Sequence, residues 1–501
     1  MDEMKTEIVK GMKMMVRLIR SEIKKIKNVD FGEIKYMNYS SVNADARIEN
    51  TDVVGIYGQN GSGKTAMIEA LDILKSIIMG TEISYKEYAG IMPKNDTSVL
   101  INDFFVDYGE EKYKVCYEAH IRANEETEKI EIFQEKLIYW DRGASWKNEK
   151  DIEFENPYYN ADDIMLNRNV SIKTRRSKCF EGIDFLFSMQ NLSIFCAQRH
   201  ISVFFNKLVQ KSLYEMKDVT EASVLFRIIH ALNWFGNAGM HIIKVNQLGA
   251  INDNIMIPLN MRCENENSTI QGCLPIFTNG QGEIPEKIYN LFPAVIRAIN
   301  IVIKSIIPNI QIEIEEKNIV EKEDGKRYVQ VEVYSRRGDK KFLIKYESEG
   351  VKRIVSLLNY LISVYNNESV CLAVDELDSG VFEYLLGELL GVLYKEMKGQ
   401  LIFTSHNLRI LEKLGNKNIV CSTTNPKNRY IRLKGVEKNH NRRDFYIRAL
   451  TIGGQNEELY DEDDLIAMGY AFRKAGKANE DSIEIPFSNE FEKKLAGGGD
   501  K

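Results

Sequence analysis

The chain has 501 residues, 44% of them hydrophobic and 28% charged, with a formal net charge of -6 at pH 7. This is ordinary globular material for about two to four domains. It excludes a polycation that coats nucleic acid over its whole surface, so any nucleic-acid contact has to be local. Seven cysteines without a C-x-x-C pair and six histidines without an H-E-x-x-H spacing argue against a disulfide frame or a zinc site.

In chain order, the Ile-, Val- and Lys-rich stretch from Val16 to about Tyr36 predicts one or two edge strands. Thr51–Tyr57 is a short apolar run ending in a glycine-rich turn, and Ala66–Met79 then places Met67, Leu71, Leu74 and Ile78 at helical spacing. Val99–Trp140 alternates with period two between charged turns and predicts an antiparallel β layer. Residues 151–240 read as loops and then helices, with a basic cluster from Lys173 to Lys178. Residues 241–284 are mixed, and Pro285–Ile307 reads as an amphipathic helix. Arg297 and Lys304 break the apolar stretch Leu291–Ile310. No run reaches the roughly 18 apolar residues of a membrane span, and the N-terminus lacks a signal-peptide apolar core, so a cytoplasmic location without membrane contact is expected. Strands are predicted at Gln311–Glu315 and Tyr328–Tyr334, joined by a charged turn containing Gly325. A helix over Val351–Tyr365, a strand over Val370–Val374, a helix over Val381–Glu396 and a strand over Gln400–Thr404 restore an α/β rhythm. The tail from Ala496 to Lys501 reads as disordered.

Four motifs carry chemistry. Gly58-Gln-Asn60-Gly61-Ser62-Gly63-Lys64-Thr65 fits G-x-x-x-x-G-K-[ST] between the predicted strand and helix. Its backbone N–H groups curl into an anion nest, the helix start adds its positive dipole end, Lys64 reaches the β- and γ-phosphates, and the Thr65 hydroxyl serves Mg²⁺. Val370–Glu376 is an apolar strand ending in two carboxylates. Asp375 is placed to hold Mg²⁺ and Glu376 to polarise an attacking water. Ser348-Glu-Gly350-Val-Lys352-Arg353 opens a helix and offers a hydroxyl and a flexible backbone for a second phosphate contact. The plainer alternative is a serine cap with Lys352 and Arg353 on a solvated face. His406, after the strand Leu401–Thr404, is placed to hydrogen-bond the γ-phosphate or the water; an ordinary polar strand end is the alternative.

In this order and spacing the four motifs resemble the ABC-type ATPase heads of the SMC, RecF and OLD group, and most of all bacterial AAA-type ATP-binding proteins with a Ser-Glu-Gly-x-Lys-Arg signature. The segment Arg443–Arg448, Gly453-Gly454 and Leu459–Asp461 is similar to the end of those proteins. The resemblance covers about 16–140 and 310–465. It implies an α/β fold: an ABC-type P-loop ATPase head with an antiparallel β layer and a long, largely helical insert. It makes Ser348 and Gly350 the signature, Asp375 and Glu376 the Walker B pair, Asp378-Ser379 the D-loop and His406 the switch histidine. No glutamine fits the Q-loop; Gln134 is a poor match. The expected organisation is a first head lobe over 1–150, a mostly helical insert over 151–300, a second head lobe over 301–450 and a C-terminal extension over 451–501.

The resemblance further implies that ATP is sandwiched between two copies of the chain, as a homodimer or higher oligomer, with Mg²⁺ as cofactor. Members of the group act in anti-phage defence beside a separate effector, as in the PARIS system. OLD- and Gabija-type proteins append a Toprim nuclease. Here 95 residues follow His406, and the acidic run Asp461–Asp464 lacks that domain's strand context. A defence sensor or scaffold with a separate effector is therefore expected. A DNA repair ATPase of the RecF kind and a nucleotide-gated protein scaffold are the alternatives, and the Lys173–Lys178 cluster is the candidate nucleic-acid contact.

Overall fold

The computed structural model describes residues 14–36, 52–94, 96–109, 111–141, 149–155, 171–175, 195–215, 220–245, 256–265, 268–277, 283–322, 325–435, 441–460 and 465–478. The tail from Ala496, the acidic run at 461–464 and the half of the basic cluster from Arg176 to Lys178 lie outside the described residues.

The described residues open with strands β1 (Met14–Lys24) and β2 (Gly32–Lys35). β3 (Val53–Tyr57) is buried along its whole length and leads through the glycine loop into α1 (Lys64–Ile78). Five strands follow: β4 (Ser98–Tyr108), β5 (Glu111–Asn124), β6 (Lys129–Asp141), β7 (Glu149–Glu155) and β8 (Ser171–Arg175). Helices α2 (Lys207–Glu215) and α3 (Thr220–Trp234) run through a π-helical turn (Phe235–Gly239) into β9 (Met240–Ile243). Next come β10 (Met256–Asn265), β11 (Ser268–Phe277), β12 (Glu283–Pro285), α4 (Phe292–Ile306), β13 (Ile310–Glu321), β14 (Arg327–Arg337) and β15 (Lys340–Leu343). Then α5 (Glu349–Asn366), β16 (Cys371–Val374), α6 (Glu383–Glu396), β17 (Gln400–Thr404), α7 (Leu408–Lys413), β18 (Ile419–Ser422), β19 (Tyr430–Ile431) and α8 (Arg442–Thr451) complete one compact unit that ends at Leu459. A second unit starts at Tyr460, and its described helix is α9 (Leu465–Ala478).

The central sheet has the order β19-β18-β3-β17-β16-β9. All its pairings are parallel except that of β19 on β18. Helices cover both faces of such a sheet, which is why its strands read as short, uninterrupted apolar runs. The larger sheet, β2-β1-β4-β5-β6-β7-β8, is antiparallel throughout. Helix α1 lies between the two. Its Met67, Leu71 and Leu74 share one core with Phe104, Val115 and Tyr117 of the antiparallel sheet and with Val54, Ile56 and Ala373 of the central one. The opposite face of the central sheet, through Val53, Leu372 and Phe403, packs on Leu357 and Leu361 of α5 and on Leu386 and Leu390 of α6. A third core joins α4 to β13 and β14, and α5 enters it with Ile354, Val355 and Leu358. Helix α5 is thus shared between two cores.

The stretch 151–300, expected to be mostly helical, is mixed among its described residues. One of its strands, β9, pairs with β16 inside the central sheet, so the sheet is not simply interrupted by an insert. A run as short as Met240-His-Ile-Ile243 has no periodicity that separates strand from helix. The compact boundary falls after Leu459, not at 450, because Tyr446, Ala449 and Leu459 are buried in the α5–α6 core. Cys116, Cys196, Cys371 and Cys421 are free thiols. Among the described residues no helix is long and apolar enough to cross a membrane.

Candidate nucleotide site

The C-terminal ends of the parallel strands gather the predicted chemistry. β3 delivers the loop Gly58–Thr65, where Gly61 and Gly63 take φ of 77° and 87°. Gly63 is the N-cap of α1 and no side chain caps that helix start, so the N–H groups of Lys64 and Thr65 and the helix dipole are left to serve an anion. Asn60 and Gly61 are exposed at the tip, while Ser62 and Lys64 are buried.

Residues that the sequence did not single out hold this loop. The Ser62 hydroxyl donates to Gln59 O (2.7 Å) and lies 2.5 Å from that of Ser422, which also donates to Tyr57 O at 3.0 Å. A side chain at Gly58 would collide with the Ser422 hydroxyl. The Tyr430 hydroxyl donates to Gly63 O at 2.7 Å, and Asn28, from the β1–β2 turn, donates to Gly61 O. Buried Arg429 ties the two supports together by donating to Thr423 O (2.6 Å) and to Asn28 O. The β18–β19 segment and the β1–β2 turn therefore grip the loop from two sides.

Lys64 Nζ donates to the carbonyls of Gly58 and Gln59, each at 2.9 Å. Burial lowers its pKa, and the charges of Asp375, Glu376 and Asp378 work in the opposite direction. The Thr65 hydroxyl donates to Asp375 Oδ1 at 3.3 Å, across 310 residues of sequence. The Thr404 hydroxyl, at the end of β17, donates to the same oxygen at 2.5 Å and accepts from the backbone N–H of Glu376 at 2.7 Å. Asp375 N in turn donates to Ile243 O of β9 at 2.8 Å. β17 stands between β3 and β16, so a hydroxyl on its last residue reaches Asp375 and the Glu376 backbone together.

Glu376 has φ of 48°, a region that non-glycine residues rarely occupy and one found where surrounding structure over-determines the backbone. Its backbone is fixed, but among the described residues its carboxylate accepts no hydrogen bond. His406 is exposed, and its backbone N–H donates to Asp378 Oδ2 at 3.0 Å. Partial shielding of its ring from water lowers its pKa first and the Lys64 charge second, against Asp378, Glu376 and Asp375. Lys64, Thr65, Asp375, Glu376 and His406 are thus brought together.

Ser348 and Gly350 are fixed by other contacts. Exposed Ser348 caps α5 by accepting from Val351 N at 3.4 Å. A Cβ on Gly350 would lie 2.5 Å from Gly380 O, so only glycine lets α5 seat on the turn after the acidic pair. Glu347, the residue before Ser348, is anchored by accepting from Arg337 (2.8 and 2.9 Å) and Ser335 (2.6 Å). The phosphate loop takes no part in these contacts. Gln134 lies inside β6, in register with His120 of β5, and so occupies a strand interior where a Q-loop residue would need a loop. Lys173 to Arg175 lie on β8, the edge strand.

The donor set fits a divalent cation: a hydroxyl and a carboxylate oxygen, both hard ligands, meet beside a backbone nest. No family model matches the chain, and no curated protein matches it. Among solved structures the chain is similar to the SMC head domain from Thermotoga maritima, at 13% identity and a TM-score of 0.34, with 83% of this chain and 99% of that chain covered. It is also similar to the Smc head domain with a coiled coil and joint derived from Pyrococcus yayanosii, at 11% identity and a TM-score of 0.38, covering 84% and 98%. A third similarity is to the Smc head domain with an extended coiled coil bound to the C-terminal domain of ScpA derived from Pyrococcus furiosus, at 14% identity and a TM-score of 0.35, covering 84% and 96%.

Proposed function

We propose that this chain binds ATP on the Gly58–Thr65 loop and hydrolyses its β–γ bond. The observation that carries the reading is the convergence of the Thr65 and Thr404 hydroxyls on one oxygen of Asp375, with Lys64, Glu376 and His406 beside it. Lys64 leaves the loop carbonyls for the β- and γ-phosphate oxygens. Thr65 and Asp375 would hold Mg²⁺, which when bound neutralises phosphate charge. Glu376 takes a proton from the water whose oxygen attacks the γ-phosphorus. The bond to the β-bridging oxygen breaks, and ADP and phosphate leave. His406 steadies the γ-phosphate or the water through its ring.

Ser348 and Gly350 are proposed to complete the site of a second copy. The exposed Tyr346, Phe382 and Tyr384, which flank the Ser348 and Gly380 turns, supply apolar surface suited to that pairing. The pair is proposed to act in the cytoplasm, where free thiols persist, as the sensor or scaffold of an anti-phage defence system with the damaging activity on a separate effector. The test of the chemistry is Glu376→Gln, which keeps the shape but cannot accept a proton. That variant should retain ATP and accumulate as an ATP-bound pair on sizing with light scattering; normal turnover would break the assignment. The test of the role is the native gene cluster. Protection against phage should need both this chain and its neighbour and should vanish with Lys64→Ala. DNA-damage sensitivity without a phage phenotype, in a deletion strain, would instead favour the repair ATPase.

A further inference from the structure

Helix α5 carries a charge that this chemistry leaves unused. Arg353 is 1% exposed, yet among the described residues none of its three guanidinium nitrogens has a hydrogen-bond partner. An arginine out of water normally finds a carboxylate or several carbonyls, because an uncompensated buried charge is strongly disfavoured. Arg17, also fully buried, shows that ordinary solution: it pairs with Asp52 and donates to Glu368 O at 3.3 Å and Lys398 O at 2.9 Å. Burial pulls the Arg353 pKa down to about 10, while Glu376 and Asp375, the charges acting on it, hold it up, so it is a cation at neutral pH.

Of the two acids whose charges act on it, Glu376 and Asp375, Glu376 is the one with bonding capacity to spare. The Glu376 backbone is held in the left-handed region by Thr404, but among the described residues its carboxylate accepts nothing. Asp375, the other nearby acid, already accepts from two hydroxyls. The turn after Glu376 is closed by Ser379 N donating to Glu376 O and Val381 N donating to Asp378 O, both at 3.1 Å. Gly350 sits directly on that turn, at Gly380. Arg353 lies one helical turn beyond Gly350 on the helix seated against that turn, and Glu376 and Asp375 are the charges that act on it.

We infer that Arg353 is a positioning residue for Glu376: a small sliding of α5 over Gly380 lets one guanidinium nitrogen donate to one oxygen of Glu376, leaving the other oxygen to take the proton of the water. The helix that presents Ser348 to a second copy then also aims the base of its own chain. This rests on the ATPase reading above.

The test uses the full chain carrying Arg353→Met, Arg353→Lys and Arg353→Gln, with steady-state ATP hydrolysis, equilibrium binding of a non-hydrolysable ATP analogue and thermal melting measured on each. With Met, kcat should fall about tenfold to a hundredfold while KM and analogue affinity stay within about threefold, the split expected when a transition-state contact is lost. Lys, a point charge of similar reach, should recover part of kcat. In the Glu376→Gln background, Arg353→Met should cause no further loss, since the two act as one unit. If the Met protein does not fold, Gln is read in its place with the same expectation. A kcat within twofold of wild type in the folded Met or Gln protein, or an equal loss with and without the Glu376 carboxylate, overturns the inference. If wild type does not hydrolyse ATP, or Lys64→Ala still does, the ATPase reading itself falls. An inactive Lys64→Ala beside a fully active Arg353→Met removes the Arg353 assignment alone.

Discussion

Glu135 in β6 and Asp375 at the end of β16 are both buried carboxylates that accept hydroxyl groups, one in each large sheet. Glu135 accepts from Tyr117 (2.7 Å), Ser202 (2.6 Å) and the N–H of Val203 (2.8 Å), and aromatic rings close the space around Tyr117. It pins the segment before α2 to the antiparallel sheet. Asp375 accepts from Thr65 and Thr404, but it stands where a parallel strand stops, beside a glutamate whose carboxylate is unengaged and a lysine bound only to loop carbonyls among the described residues. Burial and hydrogen bonding therefore do not separate a structural acid from a chemical one. What separates them is whether the neighbouring polar groups have already spent their bonding capacity on one another.

The largest effect that sharpens this contrast is on turnover. Lys64→Ala and Glu376→Gln should each lower ATP hydrolysis by about 10²-fold or more with little change in urea midpoint. A stability loss matching the activity loss would make the Asp375 region merely structural. Glu135→Ala should do the reverse. Three donors lose their acceptor, so denaturant unfolding should report a loss of about 3 kcal/mol, with unchanged turnover per folded molecule.

The next effect is in pH. Burial raises the Glu135 pKa above its unfolded value of about 4.3, so the folded state binds the proton more tightly. Its contribution is fully present below that unfolded value and is lost as pH rises through the folded one. Unfolding measured from about pH 4 towards neutrality should show Glu135→Gln gaining on wild type as pH rises; parallel curves would contradict the buried-acid account. The smallest effect should come from Ser422→Ala, which takes the donor from Tyr57 O and one of two partners from the Ser62 hydroxyl. A stability loss of about 1 kcal/mol is expected, with ATP affinity weakened severalfold.

Much of the central sheet was legible because each strand that ends in chemistry is a short apolar run closed by a distinctive group. β3, β16 and β17 fall within a residue or two of their predicted places. Thr404 was legible only as a strand residue. Its hold on Asp375 and Glu376 depends on β17 lying between β3 and β16, and sheet order is not written in local pattern. β9 was missed because its four residues acquire meaning from pairing with β16. Lys352 and Arg353 follow a serine cap and read as a solvated face, yet they are 2% and 1% exposed, since α5 is covered by two cores at once. Ser422, Arg429 and Tyr430 carry no motif, and distance in sequence concealed their grip on the phosphate loop.

The position of β3 bears on how the chain is made. Both of its hydrogen-bonded neighbours, β17 and β18, come from residues after 399, while β3 itself is complete by Tyr57. During synthesis at roughly 5–20 residues per second, this apolar strand waits tens of seconds with both edges open. An open strand edge is a template for pairing with other chains, and contacts this distant in sequence form slowly. Nascent chains stalled before Gln400 should therefore be chaperone clients that neither fold nor retain nucleotide, even though the whole phosphate-loop motif has already left the ribosome.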